Sequence, residues 1–138
     1  MNIYNLFTSK STICFIGNLI SAGFPSPADN FLEDPLNLHE LVVKNPTATF
    51  FIRVIGDSMQ EAGIASGDIL VVDRSLTPKE GKIVIAVIDG EFTVKRIHFT
   101  PQGGIVLKPA NPAYSALKVN EGSDFQVWGV VSYVIHKV

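Results

Sequence analysis

The chain has 138 residues, of which 46% are hydrophobic, and it carries a formal net charge of −2. This length suits one compact domain with a short appendage, and the low charge gives no electrostatic basis for holding a polyanion, so direct nucleic-acid binding is not expected. A single cysteine excludes an intrachain disulfide, and no apolar run approaches the ~20 residues of a membrane span.

Two segments are predicted ahead of the folded domain. Residues 1–22 mix apolar side chains with Ser, Thr and Asn without a clean period, which is typical of a flexible N-terminal arm that docks weakly. Residues 23–36 contain Pro25 and Pro27, which exclude a helix through the middle of the segment and predict an extended linker. The folded domain is then expected to span 37–138.

The folded domain is predicted to begin with a short helix. Asn37 is suited to cap it, with Glu40 three positions later in the arrangement of a capping box. The dipeptide Asn45-Pro46 is expected to end the helix, because the residue before a proline disfavours helical backbone angles.

The run ATFFIRVIG predicts the first strand of the domain. Alternation puts Phe50, Ile52 and Val54 on one face, which indicates a strand with one strongly buried side. The strand leads into Gly-Asp-Ser, with Ser58 at the tip of a polar turn. Such a sequence is most often an ordinary turn, because Asp and Ser hydrogen-bond their own backbone. The alternative is a nucleophile held out by the end of a strand.

Further strands dominate the rest of the chain. The sequence IVIAVI, then Asp89-Gly90, then EFTVKRIHF predicts a β-hairpin, because this dipeptide accepts the positive φ angles of a tight turn. Three more apolar or alternating runs, GDILVVD, GGIVLKPA and FQVWGVVSYVIHKV, are separated by Gly, Pro and Asn. The domain is therefore predicted to be mainly β.

A serine nucleophile needs a base, and histidine is the usual partner. The three histidines, His39, His98 and His136, are scattered along the sequence, and a structural or solvated role is favoured for each. Because the histidines are scattered, their spacing does not indicate a metal site. The sequence also contains no nucleotide-binding motif.

Lysine is the other possible base, provided that it is neutral. A free lysine has a pKa of ~10.4 and is deprotonated in only about four molecules in ten thousand at pH 7, so it must be buried to act as a base. Lys95 lies on the second strand of the hairpin, where alternation puts it on the face of Ile97 and Phe99. Both faces of this strand are half apolar. The pattern permits burial of Lys95 without requiring it, and a solvated strand lysine remains the alternative.

Three stretches, GDSM, GIASGDILVVD and GKIVIAVIDGEFTVKR, together resemble the LexA/UmuD family of self-cleaving Ser/Lys proteases. Ser58 and Lys95 each lie inside one of these characteristic runs, and an Ala-Gly bond followed by FPSP precedes them. The resemblance extends from Gly23 to Val138 and is strongest to the UmuD branch of the family. The first 22 residues match nothing in particular.

The resemblance implies a role for individual residues. Ser58 would be the nucleophile and Lys95 the general base, and the backbone N–H groups of Asp57 and Ser58 would form the oxyanion hole. The bond cut would be Ala22-Gly23. The family fold is a mainly β protease domain of twisted, curled sheets, usually assembled as a homodimer, and it needs no cofactor or metal.

The resemblance also implies partners. Cleavage would be activated by a RecA–single-stranded DNA filament in the SOS response to DNA damage. The processed form, 23–138, would be an accessory subunit of an error-prone translesion polymerase, with a UmuC-like Y-family polymerase as its partner. Such a protein would be cytoplasmic, with no membrane attachment.

Three other functions are less well supported by the sequence. A LexA-like repressor would need a DNA-binding domain before Gly23, and the 22 preceding residues are too few for a helix-turn-helix unit. A signal-peptidase relative or secreted precursor is suggested by TICFIGNLISA, which ends at Ala22, but Lys10 is the only positive side chain in the arm and Gly17-Asn18 interrupts the apolar run. The third alternative is a non-enzymatic β interaction module whose serine and lysine are bystanders.

Overall fold

The structure is a computed structural model that describes residues 35–138 in full and Asn2–Asn5 and Thr12–Ile13 as backbone. The chain divides into two compact units. The described parts of the larger unit are Asn2–Asn5 and Asn45–Val138, and those of the smaller unit are Thr12–Ile13 and 35–44.

The described elements follow one another along the chain with strands in the majority. The strands are β1 (Asn2–Asn5), β2 (Thr12–Ile13), β3 (Leu36–Asn37), β4 (Thr49–Arg53), β5 (Ile69–Asp73), β6 (Ile83–Ile88), β7 (Glu91–Phe99), β8 (Ile105–Lys108), β9 (Leu117–Val119) and β10 (Phe125–Ile135). The helices are α1 (Leu38–Val42) and two short 3-10 helices, Pro46–Ala48 and Gln60–Ala62.

In the smaller unit, β2 pairs antiparallel with β3, and α1 follows β3 directly. The side chain of Asn37 accepts a hydrogen bond from the backbone N–H of Glu40 at 3.1 Å, which confirms the predicted cap. The helix ends at Val42, before the predicted stop at Asn45-Pro46.

The larger unit is built on one antiparallel sheet of eight described strands, in the order β1-β4-β5-β10-β6-β7-β8-β9. This confirms the mainly β prediction. Strands β6 and β7 form the predicted hairpin, and the φ angles of Asp89 and Gly90 are 49° and 83°, as a two-residue turn with positive φ at both positions requires. The hairpin turn brings Lys95 opposite Val84 in the register.

Two strands of this sheet were not predicted. Residues Asn2–Asn5 pair with β4, from Asn2 opposite Arg53 to Asn5 opposite Phe50, whereas the first 22 residues were predicted to be a flexible arm that docks weakly. A strand that adds to a sheet edge is held by backbone hydrogen bonds, so it needs no alternating apolar pattern. Strand β9 was missed because it is short and its Leu117 is exposed.

The predicted boundaries of the arm (1–22), the linker (23–36) and the domain (37–138) remain predictions. Residues 14–34, which contain the proposed junction between arm and linker, lie outside the described residues.

The core of the larger unit consists of two clusters, and β6 contributes to both. Ile85 belongs to the first cluster, whereas Val84 and Ala86 belong to the second. Successive residues of a strand point to opposite faces, so β6 is buried on both sides, which explains its uninterrupted apolar sequence. The first cluster consists of Ile52, Val54, Met59, Ile64, Leu70, Val72, Ile85 and Val94, and the second of Val84, Ala86, Ile97, Leu107 and Val130.

Candidate active site

The turn that carries Ser58 is anchored to the first core cluster on both sides. Before the turn, Val54 is buried and its backbone N–H donates to the carbonyl oxygen of Asp68 at 2.9 Å. After the turn, Met59 is only 2% exposed. Gly56 has φ +106°, which a residue with a side chain rarely adopts. Ser58 therefore lies between two buried anchors and stays half-buried itself.

The structure brings Lys95 and Ser58 together. The Nζ atom of Lys95 lies 3.0 Å from the Oγ atom of Ser58, although the two residues are 37 positions apart in the chain. Nζ also lies 2.9 Å from the Oγ1 atom of Thr93 and 3.1 Å from the carbonyl oxygen of Val94. Thr93 was not among the residues that the sequence singled out, and its position two residues before Lys95 on a strand is the signal that could have identified it.

Burial lowers the pKa of Lys95, because loss of hydration disfavours the charged ammonium. A neutral lysine amine has two N–H donors and one lone pair. The carbonyl oxygen of Val94 can only accept, and the hydroxyl of Thr93 is free to accept as well, so these two groups take both donors. In the neutral amine, the remaining lone pair would face the Ser58 hydroxyl, which would then donate to it. This is the arrangement that removes a proton from a serine.

None of the three histidines, all of which lie in the described part of the chain, hydrogen-bonds to Ser58. His98 is 2.6 Å from Glu80 through Nδ1, and His136 is 2.6 Å from Asp68 through Nδ1. His39 lies in α1, which belongs to the other unit. Lys95 is therefore the only basic side chain hydrogen-bonded to Ser58 among the described residues.

A pocket of about 150 Å³ opens beside Ser58. One wall is the segment that runs from the end of β4 into the turn, and the other is the start of β7, where Phe92 is 44% exposed. Its lining combines apolar side chains with the polar groups of the serine turn: Val54, Ile55, Gly56, Ser58, Met59, Phe92, Thr93 and Val94. A pocket of this size accommodates a small side chain of a peptide substrate.

The backbone N–H groups of Asp57 and Ser58 have no hydrogen-bond acceptor within residues 35–138. The neighbouring N–H of Gly56 donates to the Oγ atom of Ser66 at 3.2 Å and is thereby used within the fold. The two groups that the sequence resemblance assigned to an oxyanion hole are therefore not used as donors by residues 35–138.

Other kinds of site find no support in residues 35–138 and the two short backbone segments. No group of three or more His, Cys, Asp or Glu side chains is arranged to hold a metal ion in this part of the chain. The helices described here also lack the length and apolar character needed for crossing a membrane. The residues of the predicted cleavage site, Ala22 and Gly23, lie outside the described residues.

The profile of the Peptidase S24-like family matches residues 14–132. The chain belongs to this family. Among S24-like relatives, it is 52% identical to protein SamA of Salmonella typhimurium over 128 residues, which cover 93% of the chain and 88% of SamA. It is 46% identical to protein MucA of Escherichia coli over 123 residues, or 88% of the chain and 83% of MucA. It is 41% identical to a LexA repressor of Sorangium cellulosum over 123 residues, which cover 86% of the chain and 52% of that repressor.

These comparisons confirm the family that the sequence motifs suggested. The S24-like chain is a UmuD homologue of the LexA/UmuD family, a self-cleaving serine protease, and a subunit of a mutagenesis polymerase. The alternatives of a signal-peptidase relative and of a non-enzymatic β module are thereby set aside.

Proposed function

We propose that Ser58 is the nucleophile of self-cleavage and that Lys95 is its general base. The contact of 3.0 Å between Nζ and Oγ is the observation that carries this assignment. It is supported by the lowered pKa of Lys95 and by the other two contacts of its amine, which orient the lone pair toward the hydroxyl.

The reaction then has two stages. Neutral Lys95 takes the hydroxyl proton of Ser58 while Oγ attacks the carbonyl carbon of Ala22, and the carbonyl oxygen becomes an oxyanion. The ammonium of Lys95 next gives its proton to the nitrogen of Gly23, and the C–N bond breaks to leave an ester on Ser58. In the second stage, water loses a proton to Lys95 and attacks the ester, which frees the carboxylate of Ala22 and restores the serine. These steps need no metal or cofactor.

The backbone N–H groups of Asp57 and Ser58 are proposed to stabilise the oxyanion. Their lack of an acceptor within residues 35–138 supports this role, because such donors are aimed at charge that develops only in the transition state. The small pocket beside Ser58 supports a cleavage bond flanked by small residues, as Ala22-Gly23 is.

The wider role follows from the family. We infer that residues 1–22 are the removed arm, that 23–36 is an extended linker and that the processed chain, 23–138, assembles as a homodimer with a UmuC-like Y-family polymerase. A RecA–single-stranded DNA filament is the proposed activator in the SOS response, which places the protein in the cytoplasm. Contact with DNA is then made through these partners, in keeping with the net charge of −2.

Bulky substitutions at the cleavage bond test which bond is cut. We expect Ala22→Trp and Gly23→Trp each to block processing, because a bulky ring next to the scissile bond would keep the carbonyl carbon of residue 22 from the position that Ser58 Oγ must attack. The measurement is the masses of the products after incubation with activated RecA filament. Thr8→Trp, in the same arm, serves as the matched control and should be cleaved as in the wild type.

Cleavage of either Trp variant at residues 22–23 at the wild-type rate would contradict the assignment. So would a wild-type product that ends at any other residue.

A further inference from the structure

The segment Ala110–Tyr114 is bonded to the turn that carries Ser58. The backbone N–H of Ala110 donates to the carbonyl oxygen of Ser58 at 2.7 Å, and the carbonyl oxygen of Ala110 accepts from the N–H of Glu61 at 2.7 Å. These two hydrogen bonds therefore hold the serine turn against a segment that the sequence motifs of the protease do not include.

The side chain of Asn111 makes the next contact. Its Nδ2 atom donates to the carbonyl oxygen of Asp57 at 2.9 Å, and its Oδ1 atom accepts from the backbone N–H of Ala113 at 2.9 Å. Rotating the amide by half a turn would set oxygen against oxygen and N–H against N–H. The orientation of the Asn111 side chain is thus fixed at both ends.

The carbonyl oxygen of Asp57 accepts from Asn111 and also from the backbone N–H of Gln60 at 3.1 Å. This carbonyl belongs to the same peptide group as the N–H of Ser58. A peptide group is planar, so fixing the direction of the Asp57 carbonyl also fixes the direction of the Ser58 N–H. A hydrogen bond accepted by the carbonyl polarises the group and makes its N–H a stronger donor. The N–H of Ser58 has no hydrogen-bond acceptor within residues 35–138.

Tyr114 makes a second side-chain contact with Asp57. Its hydroxyl donates to the Oδ1 atom of Asp57 at 2.6 Å, a short bond to a charged acceptor. This bond and the negative charge of Asp57 raise the pKa of Tyr114. The phenol consequently remains a donor through mildly alkaline solution, where self-cleavage is to be measured.

We propose that Asn111 is a positioning residue of the oxyanion hole, which it holds through the Asp57 carbonyl, and that Tyr114 supports it through the Asp57 carboxylate. The inference rests on the proposed function of Ser58 and Lys95 and adds the residues that aim the backbone donor. Asn111 touches neither the nucleophile nor the base in the hydrogen bonds described above.

The substitution Asn111→Ser tests this role without adding a charge. A serine hydroxyl can still accept from the N–H of Ala113, but it lacks the donor that reaches the Asp57 carbonyl. We expect the rate of self-cleavage of the full chain to fall about tenfold to a hundredfold, somewhat less than the loss of a whole oxyanion donor. The same substitution at exposed Asn120 is the matched control and should leave the rate unchanged.

The pH profile separates this role from a general loosening of the turn. If Asn111 acts through the oxyanion donor, the rate falls by the same factor at every pH, and the pH at which the rate reaches half its plateau stays as in the wild type. If the turn loosens as a whole, Ser58 and Lys95 separate, water enters, and that midpoint moves to higher pH. A moved midpoint would overturn the inference, as would a rate within about twofold of the wild type, well short of an oxyanion effect.

Tyr114→Phe provides an independent variant if Asn111→Ser does not fold. Removing one hydroxyl from an exposed side chain leaves the fold intact, and we expect a smaller decrease in rate, about threefold to tenfold, again at an unchanged midpoint. A wild-type rate in this variant would overturn the inference. If these variants cleave normally while Ser58→Ala does not cleave, only the positioning role is overturned. If Ser58→Ala itself cleaves, the proposed function is overturned.

Discussion

Replacing Ser58 with alanine is expected to abolish self-cleavage while the domain stays folded. Removal of a serine nucleophile lowers turnover by a factor on the order of 10⁶ in a serine protease, so no product should be detected. The fold loses only the Lys95–Ser58 contact, worth about 1 kcal/mol or less, since the anchors Val54 and Met59 are untouched. Gel analysis after incubation with activated filament and thermal unfolding of the same sample would measure both effects.

Ser123→Ala is the matched control for this substitution. Ser123 is also half-buried, and its one described hydrogen bond is made by its backbone, so cleavage should proceed at the wild-type rate. Production of the 23–138 fragment by the Ser58→Ala protein would show that another group is the nucleophile.

The second large effect concerns the pH dependence of self-cleavage. Only neutral Lys95 can accept the Ser58 proton, so the rate should rise with pH and flatten above the pKa of Lys95. Below that pKa, each pH unit changes the neutral fraction about tenfold. Because burial lowers the pKa of Lys95, the plateau should begin below the ordinary lysine value of 10.5. Rates of spontaneous cleavage measured from pH 6 to pH 10 would test this.

Lys95→Arg should remain uncleaved throughout this range. Arginine keeps the positive charge but does not lose its proton at any pH that the protein survives. Lys118→Arg, at an exposed position of β9, is the matched control and should cleave normally. A wild-type rate that does not change with pH, or normal cleavage by the Lys95→Arg protein, would exclude Lys95 as the base.

The RecA filament, as the proposed activator, is expected to shift the same profile. If the filament favours the conformer in which the arm covers Lys95 and expels water, the pKa of Lys95 falls further. Adding filament should then move the rise in rate to lower pH and matter least on the alkaline plateau. A filament that raised the rate equally at every pH would act by some other means.

The hairpin and the serine turn were predictable because their signals are local. Asp89-Gly90 occupies a turn with two positive φ angles, and Gly56 adopts a conformation that favours glycine. The capping of α1 by Asn37 was predictable for the same reason. In each case, the residues that decide the structure lie within a few positions of one another.

The state of Lys95 was not predictable from its strand, because its burial depends on a partner 37 positions away. Both faces of β7 are half apolar, so alternation permitted either a buried or a solvated lysine. Asn111 and Tyr114 were missed for a similar reason. They lie in a loop whose sequence predicts only a turn, and their contact with Asp57 exists only in the folded sheet.

Strand β1 was unpredictable in a different sense. Its pairing with β4 depends on backbone groups that every sequence has. The sequence from Asn2 to Asn5 shows no alternation of apolar residues that could indicate a strand. Such an edge strand is recognised only once the strand that it joins is in place.

A direct titration of the Lys95 amine is the measurement that tests the dyad most closely. The Ala22→Trp protein is suited to it, since it should stay intact while retaining both Ser58 and Lys95. Its lysines, labelled with ¹³C at Cε, would be followed by NMR from pH 6 to pH 11, with Lys95 assigned by its absence in Lys95→Arg. We expect Lys95 to titrate below 10.5 and at the midpoint of the wild-type cleavage profile. A Lys95 that titrates at or above 10.5, or more than about one pH unit from that midpoint, would contradict its role as the base.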